Sequence, residues 1–216
     1  MCQTCHACHT FSHTQCLIGN HFDFSQQHGP LPSHLRMTKK LERGVDLPVN
    51  LSAGMIIPFK SSLFDLTTTR GALKGGAQAT LDLYNNKKDI ILRIKICKGR
   101  NKVFFNDFAR KNLVDGWGQE QSVDLSPTDI EKWQRSGVTI SVHDCSTHSE
   151  QKYQILFDLT TVCYFDKHFP GPAIKASYRE APEDTSRPHL STPVKVVVYL
   201  LKDLSPKETQ AILSGR

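Results

Sequence analysis

Apolar residues occupy every second position in two successive stretches of this chain. Ala79, Leu81 and Leu83 alternate within Gln78 to Tyr84, and Leu92, Ile94 and Ile96 alternate within Ile90 to Ile96. The polar residues Asn85-Asn86-Lys87-Lys88 separate them as a turn. Side chains of a strand point alternately to opposite faces, whereas a helix repeats every ~3.6 residues, so this spacing selects strands with one buried face. The two segments are expected to be neighbouring antiparallel strands.

The same texture continues along the chain from Val45, as short runs of β-branched and aromatic residues bounded by turn residues. Strands are expected at Met55 to Phe59, Ser61 to Thr67, Lys102 to Asn106, Trp117 to Val123, Val138 to Asp144, Lys152 to Phe157, Val162 to Asp166 and Val194 to Leu200. Pro58 implies an irregular or edge position for the first of these. Pro127 to Gln134 reads as a short helix capped by Ser126, and Pro206 to Leu213 as another capped by Ser205. Arg179 to Pro193 is polar and contains proline, and reads as a long loop. The pattern is that of an all-β sandwich or barrel.

The first part of the chain is different. Residues 1–43 hold six of the ten histidines and four of the seven cysteines (Cys2, Cys5, Cys8, Cys16), with no apolar period. They read as a disordered tail, ahead of a domain over residues 44–205 and a C-terminal tail over residues 206–216. Zinc binding by the Cys/His tail is the alternative, but the second pair of ligands that a zinc module needs is missing downstream. No metal or other cofactor is assigned. The remaining cysteines, Cys97, Cys145 and Cys163, are far apart and read as ordinary thiols rather than a disulfide framework.

Charge and hydropathy remove several function classes. The net charge of +6 is spread over scattered Lys and Arg residues, without the clustered basic face of a nucleic-acid binder. The most apolar stretch, Val194 to Leu204, is interrupted by Lys195, Lys202 and Asp203, so membrane insertion is not expected. The N-terminus lacks the apolar region of a signal peptide. A cytoplasmic location is expected, with export lacking a signal peptide left open, and the Asn50-Leu51-Ser52 sequon is expected to stay unglycosylated. No G-x-S-x-G, P-loop, H-E-x-x-H or paired-carboxylate strand occurs, so the chain is not expected to be an enzyme.

One constellation does carry chemistry. Val103-Phe104-Phe105-Asn106 ends an apolar strand on an amide, and Trp117-Gly118-Gln119-Glu120 follows. The amide can hydrogen-bond sugar hydroxyls, the indole can cover the apolar C–H face of a pyranose, and the carboxylate can accept from O–H groups. Glycines flank Trp117, which favours an exposed ring over a core one. Alternation places Leu92, Ile94, Ile96, Val103 and Phe105 inward. It places Arg93, Lys95, Cys97, Phe104 and Asn106 on the open face.

These residues resemble the galectins. Leu47-Pro48-Val49 with Gly54-Met55-Ile56-Ile57 is similar to their opening strand. Asp89-Ile90-Ile91-Leu92-Arg93-Ile94 is similar to their D-I-x-L-H-F/I strand, and Lys102 to Asp107 to their V-x-x-N-S strand. Gly116-Trp117-Gly118-Gln119-Glu120 is similar to G-x-W-G-x-E. Val138 to Asp144 with Lys152-Tyr153-Gln154-Ile155 resembles the fungal branch. The resemblance covers about residues 45–204 and implies a galectin-like sandwich of two antiparallel sheets that binds β-galactosides on one concave sheet. It implies a carbohydrate site of Arg93, Lys95, Asn106, Trp117 and Glu120. Arg93 stands at the family's His position and Lys95 at its Asn/Ser position. Cys97 and Ser122 stand where arginines are expected, so galactoside binding is expected to be weak or shifted to another glycan. An interaction module that has lost sugar binding is the alternative. Glycans are the expected partners, with homo-oligomerisation left open.

Overall fold

Two antiparallel β-sheets face one another and close the core between them in the computed structural model, which describes residues 39–41, 44–67, 78–110, 116–181, 189–190, 194–196, 199–200 and 204–213. In chain order the strands are β1 (Lys39–Leu41), β2 (Val45–Leu51), β3 (Met55–Ser61), β4 (Gln78–Tyr84), β5 (Ile90–Cys97), β6 (Lys102–Phe108) and β7 (Gln121–Asp124). Helix α1 (Pro127–Ser136) follows. Then come β8 (Val138–Asp144), β9 (Lys152–Phe157), β10 (Thr160–Asp166), β11 (Ala173–Ala181), β12 (Val194–Val196), β13 (Tyr199–Leu200) and helix α2 (Pro206–Leu213). One sheet runs β2-β11-β4-β5-β6-β7. The other runs β1-β12-β3-β8-β9-β10, with β13 also paired to β3.

The alternation read from the sequence sets the register. Ala79, Leu81 and Leu83 lie opposite Ile96, Ile94 and Leu92. All six side chains are buried in the core, and so are Val103 and Phe105 from β6. Ile57 and Phe59 of β3, with Ile140 and Val142 of β8, supply the opposing wall. A fully buried side chain of this kind contributes about 1.5–3 kcal/mol by leaving water. A one-residue slip would turn the whole set outward, so the register of the polar face is fixed by the core behind it.

The turns also bear on the site. Asn85 Oδ1 accepts from the amides of Lys87 (2.9 Å) and Asp89 (3.0 Å), closing the β4–β5 connection. Asp89 in turn accepts from Asn85 Nδ2 at 3.0 Å and from the Arg110 amide at 3.0 Å, which ties the segment after β6 to the same turn. Helix α1 carries the chain from one sheet to the other. Its cap, Ser126, accepts from the Asp129 amide at 3.1 Å. Trp133 is buried under it and donates Nε1–H to Asp158 at 2.9 Å. Gly137 ends the helix with φ +73°, and a Cβ there would lie 2.3 Å from the Ser61 carbonyl oxygen, so only glycine fits.

Several segments differ from the sequence reading. Ser61 to Thr67 is not a strand: Ser61 closes β3, and beyond it, among the described residues, an isolated bridge joins Phe64 to Leu190. The strand expected over Trp117 to Val123 is shorter and later, at Gln121–Asp124. Ala173–Ala181 is an internal strand of the six-stranded sheet, between β2 and β4, so the start of the expected loop, Arg179 to Ala181, is paired backbone. Lys39–Leu41, in the stretch expected to be tail, pairs with Val194–Val196. The expectations of a disordered tail or zinc site over residues 1–38 lie outside the described residues. Helix α2 forms where expected, with the Ser205 hydroxyl accepting from the Glu208 amide at 3.2 Å. No helix among the described residues is long and apolar enough to cross a membrane.

Candidate functional site

The outward face of the six-stranded sheet carries a lateral polar row. Ser177 of β11 lies opposite Asp82 of β4, Asp82 opposite Arg93 of β5, and Arg93 opposite Asn106 of β6. A second row holds Arg179, Thr80, Lys95, Phe104 and Ser122 in the same order across the sheet. These positions are the polar half of the strands whose apolar half makes the core.

Asp82 is the centre of the first row. Arg93 donates Nε–H to Oδ1 at 2.7 Å and Nη2–H to Oδ2 at 2.8 Å, a fork that matches both carboxylate oxygens. Arg179 donates Nη2–H to the same Oδ2 at 2.8 Å, and the Tyr84 hydroxyl does so at 3.2 Å. The Tyr84 hydroxyl also shares a 3.1 Å hydrogen bond with Ser177 Oγ. Burial pushes the Tyr84 phenol above its ordinary value, with the nearby Asp82 carboxylate adding to it, so this hydroxyl stays protonated at neutral pH.

Trp117 stands beside this row. It forms an isolated bridge with Phe108, and its ring centroid lies 4.8 Å from that of Phe108 at 50°. The Arg93 guanidinium carbon is 4.4 Å from the indole centroid. The ring is still 47% exposed, so Trp117 is a surface residue resting on two supports. Backbone bonds hold the segment on either side of it. The Ala109 amide donates to the Gly116 carbonyl at 2.7 Å, and the Gly118 amide to the Asp107 carbonyl at 3.1 Å. Gly118 packs directly on the buried Asp107 carboxylate, where an added Cβ would meet Oδ1 at 2.1 Å. His168 Nδ1 pairs with Asp107 from the far side at 2.5 Å.

Glu120 is ion-paired with Lys95, whose ammonium also sits 4.5 Å from the Phe104 ring centroid. Asn106 Oδ1 accepts from the Asp107 amide at 2.8 Å. Its Nδ2 has no hydrogen-bond partner among the described residues, which leaves a donor beside Arg93. Cys97 is buried at the end of β5. Burial raises its thiol above the ordinary value against the pull of Lys95 and Arg100. No group of His, Cys, Asp and Glu fit to hold a metal ion occurs among the described residues.

The chain is similar to galectins of known structure. One is sheep galectin-11 in complex with glycerol, at 15% identity over 74% of this chain and 98% of that one, with a TM-score of 0.49. Another is toad ovary galectin in complex with thio-digalactose, at 17% identity over 73% of this chain and 99% of that one, with a TM-score of 0.47. Chicken galectin 2 matches at 12% identity over 74% of this chain and 99% of that one, with a TM-score of 0.47. No family model matches the sequence.

All five residues singled out from the sequence (Arg93, Lys95, Asn106, Trp117 and Glu120) lie on or beside one face. Arg93 forks onto Asp82, and Lys95 pairs with Glu120. Asp82, Tyr84, Ser177 and Arg179 were missed. Asp82 carried a signal, since it falls between the inward Leu81 and Leu83. Arg179 and Ser177 carried none, because their strand went unrecognised.

Proposed function

We propose that the chain is a non-catalytic carbohydrate-binding lectin, and that the outward face of β4, β5 and β6 together with Trp117 and Glu120 is its site. The observation that carries this reading is the Trp117 ring, half exposed yet held by contacts with Phe108 and Arg93. A flat apolar surface kept in place next to hydrogen-bonding groups is what a pyranose requires, since a sugar has an apolar C–H face and a polar rim. Trp117 stacks on the ring. Asn106 Nδ2 and the Nη1 group of Arg93, neither of them bonded among the described residues, donate to hydroxyls, and Glu120 accepts. Lys95 orients Glu120. The resemblance of the β5, β6 and Trp117 motifs to the galectins points to a galactoside. With Cys97 and Ser122 in place of two arginines, that recognition is weak or turned to another glycan. Each lost hydrogen bond to a sugar hydroxyl costs about 1–3 kcal/mol.

A second reading, an interaction module of the same fold without sugar binding, rests on one observation. Two of the five Arg93 N–H donors are spent on Asp82, so fewer remain for a ligand. A glycan array probed with the full-length protein and with Trp117→Ala separates the two. The lectin reading expects one or a few glycans to be retained and lost in the variant, with an unchanged unfolding midpoint. Absence of binding to every glycan, or a variant that unfolds, removes the lectin reading and leaves the interaction module.

A further inference from the structure

Charges on the candidate face do not cancel. Three cations, Arg93, Lys95 and Arg179, are paired with two anions, Asp82 and Glu120. The Asp82 side chain is fully buried and serves two guanidinium groups, whose Nη2 atoms donate to the same oxygen, Oδ2. It meets Arg93 through both oxygens and Arg179 through one only. The Arg93 side chain is 16% exposed and that of Arg179 is 59% exposed. The uncompensated positive charge therefore falls at Arg179. Its Nε and Nη1 groups make no hydrogen bond among the described residues. A buried carboxylate that draws a second arginine to the first fixes where that charge stands. It is one carboxylate away from the guanidinium that touches Trp117.

We propose that Arg179, with Arg93, forms a subsite for the anionic group of an acidic glycan, a sulfate ester or carboxylate carried by the sugar on Trp117 or by its neighbour. This rests on the lectin reading and narrows it to acidic oligosaccharides. Guanidinium suits this role because its planar fork binds an oxyanion through paired donors, while a neutral hydroxyl needs only one. Tyr84 and Ser177, hydrogen-bonded to each other at 3.1 Å, border the subsite. The anion also supplies the charge that the pairing with Asp82 leaves uncompensated.

The test is isothermal titration calorimetry of the full-length chain with lactose, lactose sulfated at the galactose 3-position, 3′-sialyllactose and sodium sulfate, at low and high sodium chloride. At least one charged lactose should bind about tenfold or more tightly than lactose. The preference should shrink at high salt, as screening demands. In Arg179→Gln, an exposed substitution whose folding circular dichroism verifies, the ratio of charged to neutral affinity should fall towards one. Sodium sulfate alone should bind far more weakly than the sulfated sugar. Equal affinities for lactose and both charged forms overturn this inference and leave the lectin reading standing. An undiminished preference in Arg179→Gln, or sulfate alone binding as tightly as the sulfated sugar, also overturns it. Failure of all three sugars to bind overturns this inference, and the glycan array then decides the lectin reading.

Discussion

Arg93 and Asp82 stand opposite each other on neighbouring strands and join through two hydrogen bonds, at 2.7 and 2.8 Å. The pair does two things at once. It lets a carboxylate be buried on a sheet face, and it sets a guanidinium 4.4 Å from the Trp117 ring centroid.

Asp82→Asn should therefore be costly. It leaves Arg93 partly buried without its counter-charge. Removing one partner of a buried pair costs about 3–5 kcal/mol, and the partial exposure of Arg93 puts this case near the lower end, at about 3 kcal/mol. Urea denaturation of the variant should show that loss in the midpoint with little change in slope. A shift of under about 0.5 kcal/mol would mean the pair is loosely held and does not position Arg93.

Gly118→Ala tests how Trp117 is held. The new methyl has no room, because the Asp107 carboxylate lies 2.1 Å from the position it would take. Asp107 is buried and tied to His168, so the Gly118 segment is expected to move instead. Overpacking of this kind costs about 1–3 kcal/mol. Fluorescence quenching by acrylamide should become more efficient as Trp117 lifts from Phe108. The same quenching in variant and parent would show that the segment does not depend on this contact.

The other sheet supplies a pH prediction. Burial holds the His143 imidazole below its ordinary value, 6.5, although the hydrogen bond to Gln154 and the nearby Asp144 carboxylate act to raise it. On acidification the unfolded chain takes up this proton first. The stabilising contribution of neutral His143 is therefore complete above about pH 6.5 and is lost as the pH falls from there through the lower folded value. One such proton gives a slope of at most about 1.4 kcal/mol per pH unit. In His143→Gln this slope should flatten between neutral pH and the onset of carboxylate titration. Parallel stability curves for the two proteins would contradict the assignment.

The Lys95–Glu120 pair predicts a dissociation between stability and binding. Both side chains are partly exposed, 24% and 40%, so Glu120→Gln should change stability by under about 1 kcal/mol. It should still weaken glycan binding, since the amide keeps only one acceptor and releases Lys95. Calorimetry and thermal unfolding on one preparation give both readings. A large stability loss, or unchanged affinity, would remove Glu120 from the site.

What could be read from the sequence follows from which strands carry their own signal. β5 alternates Leu, Arg, Ile, Lys, Ile and Cys, so its buried and open faces are both legible, and with them Arg93 and Lys95. Trp117 was legible as an exposed ring because glycines flank it. β11 is different. Its sequence, Ala-Ile-Lys-Ala-Ser-Tyr-Arg-Glu-Ala, is poor in β-branched residues, and it is a strand because β2 and β4 pair with it on both sides. Arg179 reaches Asp82 only through that pairing, across 97 residues of sequence. The segment after Ser61 failed in the opposite way. Phe64 and Leu66 have strand-like composition but lie buried outside any strand, with Phe64 bridged to Leu190.

The most direct measurement replaces both tryptophans with 5-fluorotryptophan and follows fluorine NMR during titration with lactose and sulfated lactose. Trp133 is buried in the core and Trp117 is on the site face, so the two resonances report separately, and Trp117→Phe assigns them. The account predicts a saturable shift of the Trp117 resonance alone, larger or at lower concentration for the sulfated sugar, with Trp133 unmoved. A Trp117 resonance that stays in place with both sugars and across a broad panel of other glycans would contradict it.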